Sequence, residues 1–120
     1  MSTMTSERAV DYRFGDVVLV RFPFTSQTAF KQRPAVVVSN AKYNHARPDA
    51  VMMAITSQLS AALSAGDVRI AEWQTAGLLK PSAVKPVFAT IEQASIVRRL
   101  GALHETDVSA LRTAIASMIG

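Results

Sequence analysis

Gly15-Asp16-Val17-Val18-Leu19-Val20-Arg21-Phe22-Pro23-Phe24 and, after a polar loop, Lys31-Gln32-Arg33-Pro34-Ala35-Val36-Val37-Val38-Ser39-Asn40 decide the fold of this 120-residue chain. Val17 to Phe22 is dense in β-branched side chains, which suit a pleated, half-buried surface. Alternation puts Val18, Val20 and Phe22 on one face and Val17, Leu19 and Arg21 on the other. Pro23 has no N–H to donate and ends the pairing. Ala35 to Ser39 is a continuous apolar run, as expected of a strand buried on both faces. Between Val17 and Pro48 there are five Lys or Arg residues and no Asp or Glu. Uncompensated positive charge beside a sheet suits a polyanion. Arg33 stands at a loop-to-strand junction, where it can reach one.

Working outward, Asn40 to Asp49 is polar, and Arg47-Pro48 forces an extended or turn conformation before the next strand. Val51 to Thr56 is a third strand, short and rich in Val, Ile and Thr. Ser60 to Gly66 is predicted as a loop or one short turn, and Asp67 to Ala71 as a short strand. Glu72 to Gly77 reads as a helical turn closed by Gly77. After a break at Lys80-Pro81-Ser82, Val84 to Ile91 is a strand in which Pro86 marks an edge or a bulge. Ile96 to Leu103 is a further strand, with Gly101 at a bulge or close contact.

The end of the chain has a different period. Val108, Leu111, Ile115, Met118 and Ile119 recur at helical spacing. Thr106 is the expected cap, with Asp107 favouring the positive end of the helix. Short strands followed by one amphipathic helix predict a mainly β fold, a bent sheet or half-open small barrel with the helix packed against it. Residues 1–13 lack periodicity and read as a loose tail, leaving a single domain over 14–120.

Composition narrows the chemistry. Hydrophobic residues make up 49% and charged residues 18%, a globular balance. A net charge of +4 favours an anionic partner without naming it. The chain has no cysteine, so disulfides, thiolate metal sites and cysteine nucleophiles are excluded. Two histidines and scattered carboxylates argue against a buried catalytic metal. Residues 1–13 lack the apolar core of a signal peptide, and no apolar run approaches the ~20 residues of a membrane span. A soluble, cytoplasmic protein is the expectation.

Six motifs follow one another: Gly15-Asp16-Val17-Val18-Leu19-Val20, Phe22-Pro23-Phe24-Thr25, Arg33-Pro34-Ala35-Val36-Val37, Ile55-Thr56-Ser57-Gln58, Lys80-Pro81-Ser82-Ala83-Val84 and Arg98-Arg99-Leu100-Gly101. In this order and spacing, from about Phe14 to the end of the terminal helix, the chain resembles the MazF/PemK-like toxins of type II toxin–antitoxin pairs. The resemblance implies an SH3-like, CcdB/MazF-type barrel and a homodimer. It implies metal-independent endoribonuclease activity on single-stranded RNA, with no cofactor. It also implies a cognate antitoxin as protein partner.

Carried over residue by residue, the resemblance makes Arg33 and Thr56 the catalytic pair. Read alone, Arg33 is a surface arginine before a proline, and Thr56 a strand residue chosen for its propensity. In the family's motif, Arg33 supplies positive charge to a phosphate through a two-pronged guanidinium. A guanidinium stays protonated at neutral pH and is a poor base. Thr56 supplies a hydroxyl. Arg21, Phe24, Lys31, Ser57, Gln58 and Lys85 are the expected RNA contacts, and Trp73 is expected to pack in the core.

The chain departs from some relatives in having no histidine in the first loop. Nor does it carry a carboxylate between Lys80 and Glu92. That leaves the general base unassigned. It also keeps open a non-catalytic relative that binds nucleic acid or protein. A gyrase-targeting relative fits less well, because Trp73 is the only tryptophan.

Overall fold

The computed structural model describes residues 11–22, 31–59 and 64–120. Within them run β1 (Asp16–Phe22), β2 (Lys31–Val37), a short helix α1 (Ala41–Ala46) and β3 (Asp49–Thr56). There follow β4 (Val68–Arg69), β5 (Ala83–Glu92), a single 3₁₀ turn at Gln93–Ser95, β6 (Ile96–Ala102) and the terminal helix α2 (Glu105–Ile119). The strands form one antiparallel sheet in the order β4-β5-β3-β2-β1-β6. It is mainly β with a C-terminal helix, as the sequence predicts. The sheet does not close, since β4 and β6 stay as its two edges.

Alternation along the strands builds a core on each face. Val17, Val36, Met53, Ile55, Val84 and Leu111 belong to the first cluster, against which Val108 and Ile115 of α2 also pack. Val18, Val20, Ala35, Val37, Ala50 and Met52 belong to the second, on the side away from the helix. Val17 and Val18 are both completely buried, so the central strands need apolar side chains at successive positions. The uninterrupted run Ala35-Val36-Val37 meets that need. Trp73 packs against the first cluster, as predicted.

Several boundaries differ from the sequence reading. β2 begins at Lys31 rather than Ala35, because Lys31, Gln32 and Arg33 pair with Phe22, Arg21 and Val20 of β1. Their side chains are exposed, so no apolar pattern marks them as strand. The polar segment after Ser39 contains α1, not only loop. Asn40 caps it by accepting from the Tyr43 backbone N–H at 2.8 Å. Asn44 anchors it from beneath: its amide donates to the backbone carbonyls of Tyr12 and Ser39, and its carbonyl oxygen accepts from the Ser39 hydroxyl.

At the terminal helix the cap is His104, not Thr106: its Nδ1 accepts from the Thr106 N–H at 3.1 Å. Asp107 does more than oppose the helix dipole. It is buried, and its two carboxylate oxygens accept the backbone N–H groups of Ala71 and Glu72 at 2.9 and 2.8 Å. This bolts α2 to the segment after β4.

Pro86 does not sit at an edge. It falls in β5, between β3 and β4, where the β3–β5 register shifts between Met53 and Ile55. An inner strand tolerates a proline there because the bulge removes a ladder bond that would need its N–H. Gly77 and Gly101 allow the turn after β4 to lie against β6. A Cβ on Gly77, which has φ +84°, would stand 2.1 Å from the Leu100 carbonyl oxygen. One on Gly101 would stand 2.7 Å from the Ala76 carbonyl.

Candidate functional site

Arg33 and Thr56 lie on neighbouring strands and on the same face. On β2, Arg33 shares the parity of Ala35 and Val37; on β3, Thr56 shares that of Ala50 and Met52. All four of those partners belong to the second cluster, opposite the helix. The β2–β3 ladder runs Val37↔Met52, Val36↔Met53, Ala35↔Ala54. Carried on by two residues, that register sets Arg33 opposite Thr56, at the end where the recorded ladder stops. Arg33 is exposed and Thr56 half-buried. Among the described residues Arg33 has no ion pair, so its charge is not already spent on a carboxylate.

The Thr56 hydroxyl is partly fixed. Its Oγ1 accepts the backbone N–H of Gln58 at 3.0 Å, closing a small turn at the strand end. That contact uses a lone pair and leaves the O–H proton available to donate. Gln58 and Ser57 are exposed immediately beyond the strand. Lys31 keeps the parity of Arg33 one step nearer the loop. Arg21 points to the other face, because it alternates with Val20 and pairs with Gln32. The structure therefore groups Arg33, Lys31 and Thr56 on one face, with Gln58 bonded to Thr56, and separates Arg21 from them. Phe24 lies outside the described residues.

Lys85 is on this face but is not a free cation. Its Nζ stands 3.3 Å from Oδ2 of Asp67, whose side chain is only 3% exposed. The same Asp67 oxygen accepts the Ser64 N–H at 2.9 Å, while Oδ1 is buried and, among the described residues, has no hydrogen-bond partner. The sequence around Lys85 holds no acid between Lys80 and Glu92. The acid instead comes from the residue before β4, brought alongside by the β4–β5 ladder. Arg99 is similarly committed: it donates to Asp16 at 2.9 Å and stacks over Tyr12. Burial pushes the Tyr12 phenol above its ordinary value, against the pull of Arg99 and with the help of Asp16.

A groove of about 550 Å³ opens on the helix side, between α2 and the sheet. Phe14, Tyr43, Phe88, Arg112 and Ile119 are among its lining residues, and Arg112 stacks over Phe14 with 3.9 Å to the ring centre. It is separate from the Arg33–Thr56 face. Among the described residues no group of three or more His, Cys, Asp or Glu converges to hold a metal ion, and no helix is long and apolar enough to cross a membrane.

An open six-stranded antiparallel sheet with a C-terminal helix is the architecture of the MazF toxins. MazF of Deinococcus radiodurans is similar over 92% of this chain and 98% of its own, at 18% identity and TM-score 0.71. The MazE–MazF complex of the same organism gives TM-score 0.74 at 19% identity, over 92% of this chain and 98% of the matched one. A mycobacterial endoribonuclease solved with its cognate antitoxin gives TM-score 0.70 at 17% identity, over 92% and 94%. At such identities the likeness is one of fold. No curated protein is similar enough in sequence to count as a relative. The family model for PemK-like, MazF-like toxins of type II toxin–antitoxin systems matches residues 13–119, and the chain belongs to that family.

Proposed function

We propose that this toxin is a metal-independent endoribonuclease that cleaves single-stranded RNA. The observation that carries this reading is the position of Arg33 and Thr56 on adjacent strands of one sheet face. One is a guanidinium with no ion pair among the described residues; the other is a hydroxyl with a proton to donate.

RNA brings its own nucleophile. The 2′-oxygen attacks the adjacent phosphorus, the bond to the 5′-oxygen breaks, and the products are a 2′,3′-cyclic phosphate and a 5′-OH. The protein must align these atoms and stabilise the added charge on the phosphorane. Arg33 holds two non-bridging oxygens and, secondarily, donates a proton toward the leaving oxygen. Thr56 donates to a phosphate oxygen or orients the 2′-OH. Asp67, on the same face, is two strands from Thr56, buried and held by Lys85, so it is not placed to take the 2′ proton. That proton passes to solvent, and catalysis rests on alignment and electrostatics, which makes the enzyme slow.

The family and the antitoxin complexes among the similar structures support a cognate antitoxin as partner. A homodimer is supported by exposed apolar side chains on β5 and α2: Val87 at 51%, Phe88 at 39% and Ile119 at 69% exposure.

The deciding experiment incubates the protein with long single-stranded RNA in EDTA and analyses the new ends. Wild type should give cyclic-phosphate and 5′-OH ends, and Arg33→Ala should cut at least about 100-fold more slowly. Absence of cyclic-phosphate ends, or equal cutting by Arg33→Ala, sinks the reading and leaves a toxin that acts by binding.

A further inference from the structure

Three cross-strand relationships place Arg69 in the same row as the proposed catalytic pair. Arg69 of β4 stands opposite Ala83 of β5. Ala83 stands opposite Thr56 of β3. The β2–β3 register then continues the row to Arg33, which stands opposite Val20 of β1. Directly opposed residues share a face. Independently, Val68 and Ile70 on either side of Arg69 pack into the first cluster, so Arg69 points to the other side. It is exposed and, among the described residues, has no ion pair.

We infer that Arg69 is a second phosphate-binding arginine, holding the RNA backbone beyond the phosphate gripped by Arg33. This rests on the ribonuclease reading above. Strands in a sheet are about 4.8 Å apart, so Arg69 lies roughly 10 Å from Thr56 and roughly 14 Å from Arg33 along the row. Two guanidinium groups rooted that far apart, with a hydroxyl between them, suit two phosphates of an extended strand that are not immediate neighbours. Lys85 adds no net positive charge here, because Asp67 matches it. The pairing matters to Arg69 all the same. Asp67 lies two residues before Arg69 on the same face, and Lys85 neutralises a carboxylate that would otherwise repel the backbone. Arg69 therefore supplies the uncompensated charge at this edge of the sheet. Its role is to bind and position, not to react.

The test measures binding of the full chain to single-stranded RNA that is 2′-O-methylated throughout and so cannot be cut, across a range of salt concentrations. Arg69→Ala should bind about tenfold more weakly at low salt, the loss of one charge-assisted contact. The slope of log affinity against log salt should become shallower by about 0.7, one single-strand phosphate contact. Arg69→Lys should retain most of the slope. On cleavable RNA at saturation, single-turnover cleavage by Arg69→Ala should stay within about twofold of wild type. Arg112→Gln, which removes a cation on the helix side, should leave the slope unchanged. Wild-type affinity and slope in Arg69→Ala overturn the inference. If that happens while Arg33→Ala is inactive, only the Arg69 role falls. If wild type neither binds nor cuts RNA, both readings fall together.

Discussion

Asp67 and Lys85 form an ion pair across the β4–β5 ladder, with Oδ2 of a nearly buried carboxylate 3.3 Å from a half-exposed ammonium. The two partners are not equivalent. Removing Lys85 leaves a buried charge with little compensation, whereas removing both leaves none. We expect Lys85→Met to lower stability by about 2 kcal/mol, and Asp67→Asn with Lys85→Met to recover at least half of that. Urea unfolding of the single and double variants reads this directly. The same pair separates two roles for Lys85 in RNA binding. If Lys85 only neutralises Asp67, the double variant binds RNA as wild type does. If it contacts phosphate, the double variant stays weak.

Thr56 carries two functions in one side chain. Its oxygen accepts from Gln58, and its proton is available to substrate. Thr56→Ser keeps both, and Thr56→Val keeps the shape but neither hydrogen bond. Single-turnover cleavage should fall no more than about threefold in Thr56→Ser and about 10²-fold in Thr56→Val. Comparable rates in the two variants would show that the hydroxyl takes no part.

Asp107 closes the fold by accepting two backbone N–H groups from the segment after β4. Asp107→Ala removes both acceptors and should cost about 2–3 kcal/mol, with Asp107→Asn costing about 1–2 because one carbonyl oxygen remains. Denaturant midpoints would measure the order. RNA binding per molecule of folded protein should not change, since Asp107 is not part of the Arg33–Thr56 face.

Tyr12 offers a test at alkaline pH. Burial favours the neutral phenol in the folded chain and raises its pKa above the ordinary 10.0. The contribution is complete below pH 10 and is lost as pH rises through the folded-state value. Wild type should therefore lose stability relative to Tyr12→Phe above about pH 10, with parallel curves below it. Thermal unfolding of both proteins between pH 8 and pH 11.5 gives the comparison.

Much of the fold was legible because burial leaves periodic marks. Val17 to Phe22, Val51 to Thr56 and the Val108–Ile119 helix all follow from spacing, and Pro86 was readable as an interruption. The segments that escaped are those whose structure comes from polar contacts. Lys31 to Arg33 is strand by pairing with β1 while its side chains face water. Helix α1 depends on Asn40 and Asn44, whose hydrogen bonds leave no hydrophobic period. The choice of His104 over Thr106 as cap follows from the helix starting at Glu105, which leaves Thr106 inside the first turn as the donor to His104.

For the site, the sequence by itself determined the residue types. It gave an arginine before a proline, a threonine at a strand end and a basic, acid-free segment, and it marked the family through their order. Tertiary structure decided which of these share a surface. Alternation within a strand fixes a face only relative to its neighbours. Register between strands that are distant in sequence fixes which residues stand side by side. That register brought Arg69 into line with Thr56, turned Arg21 away, and set Asp67 against Lys85. No count of residues along the chain contains those outcomes, because each depends on pairing across the sheet.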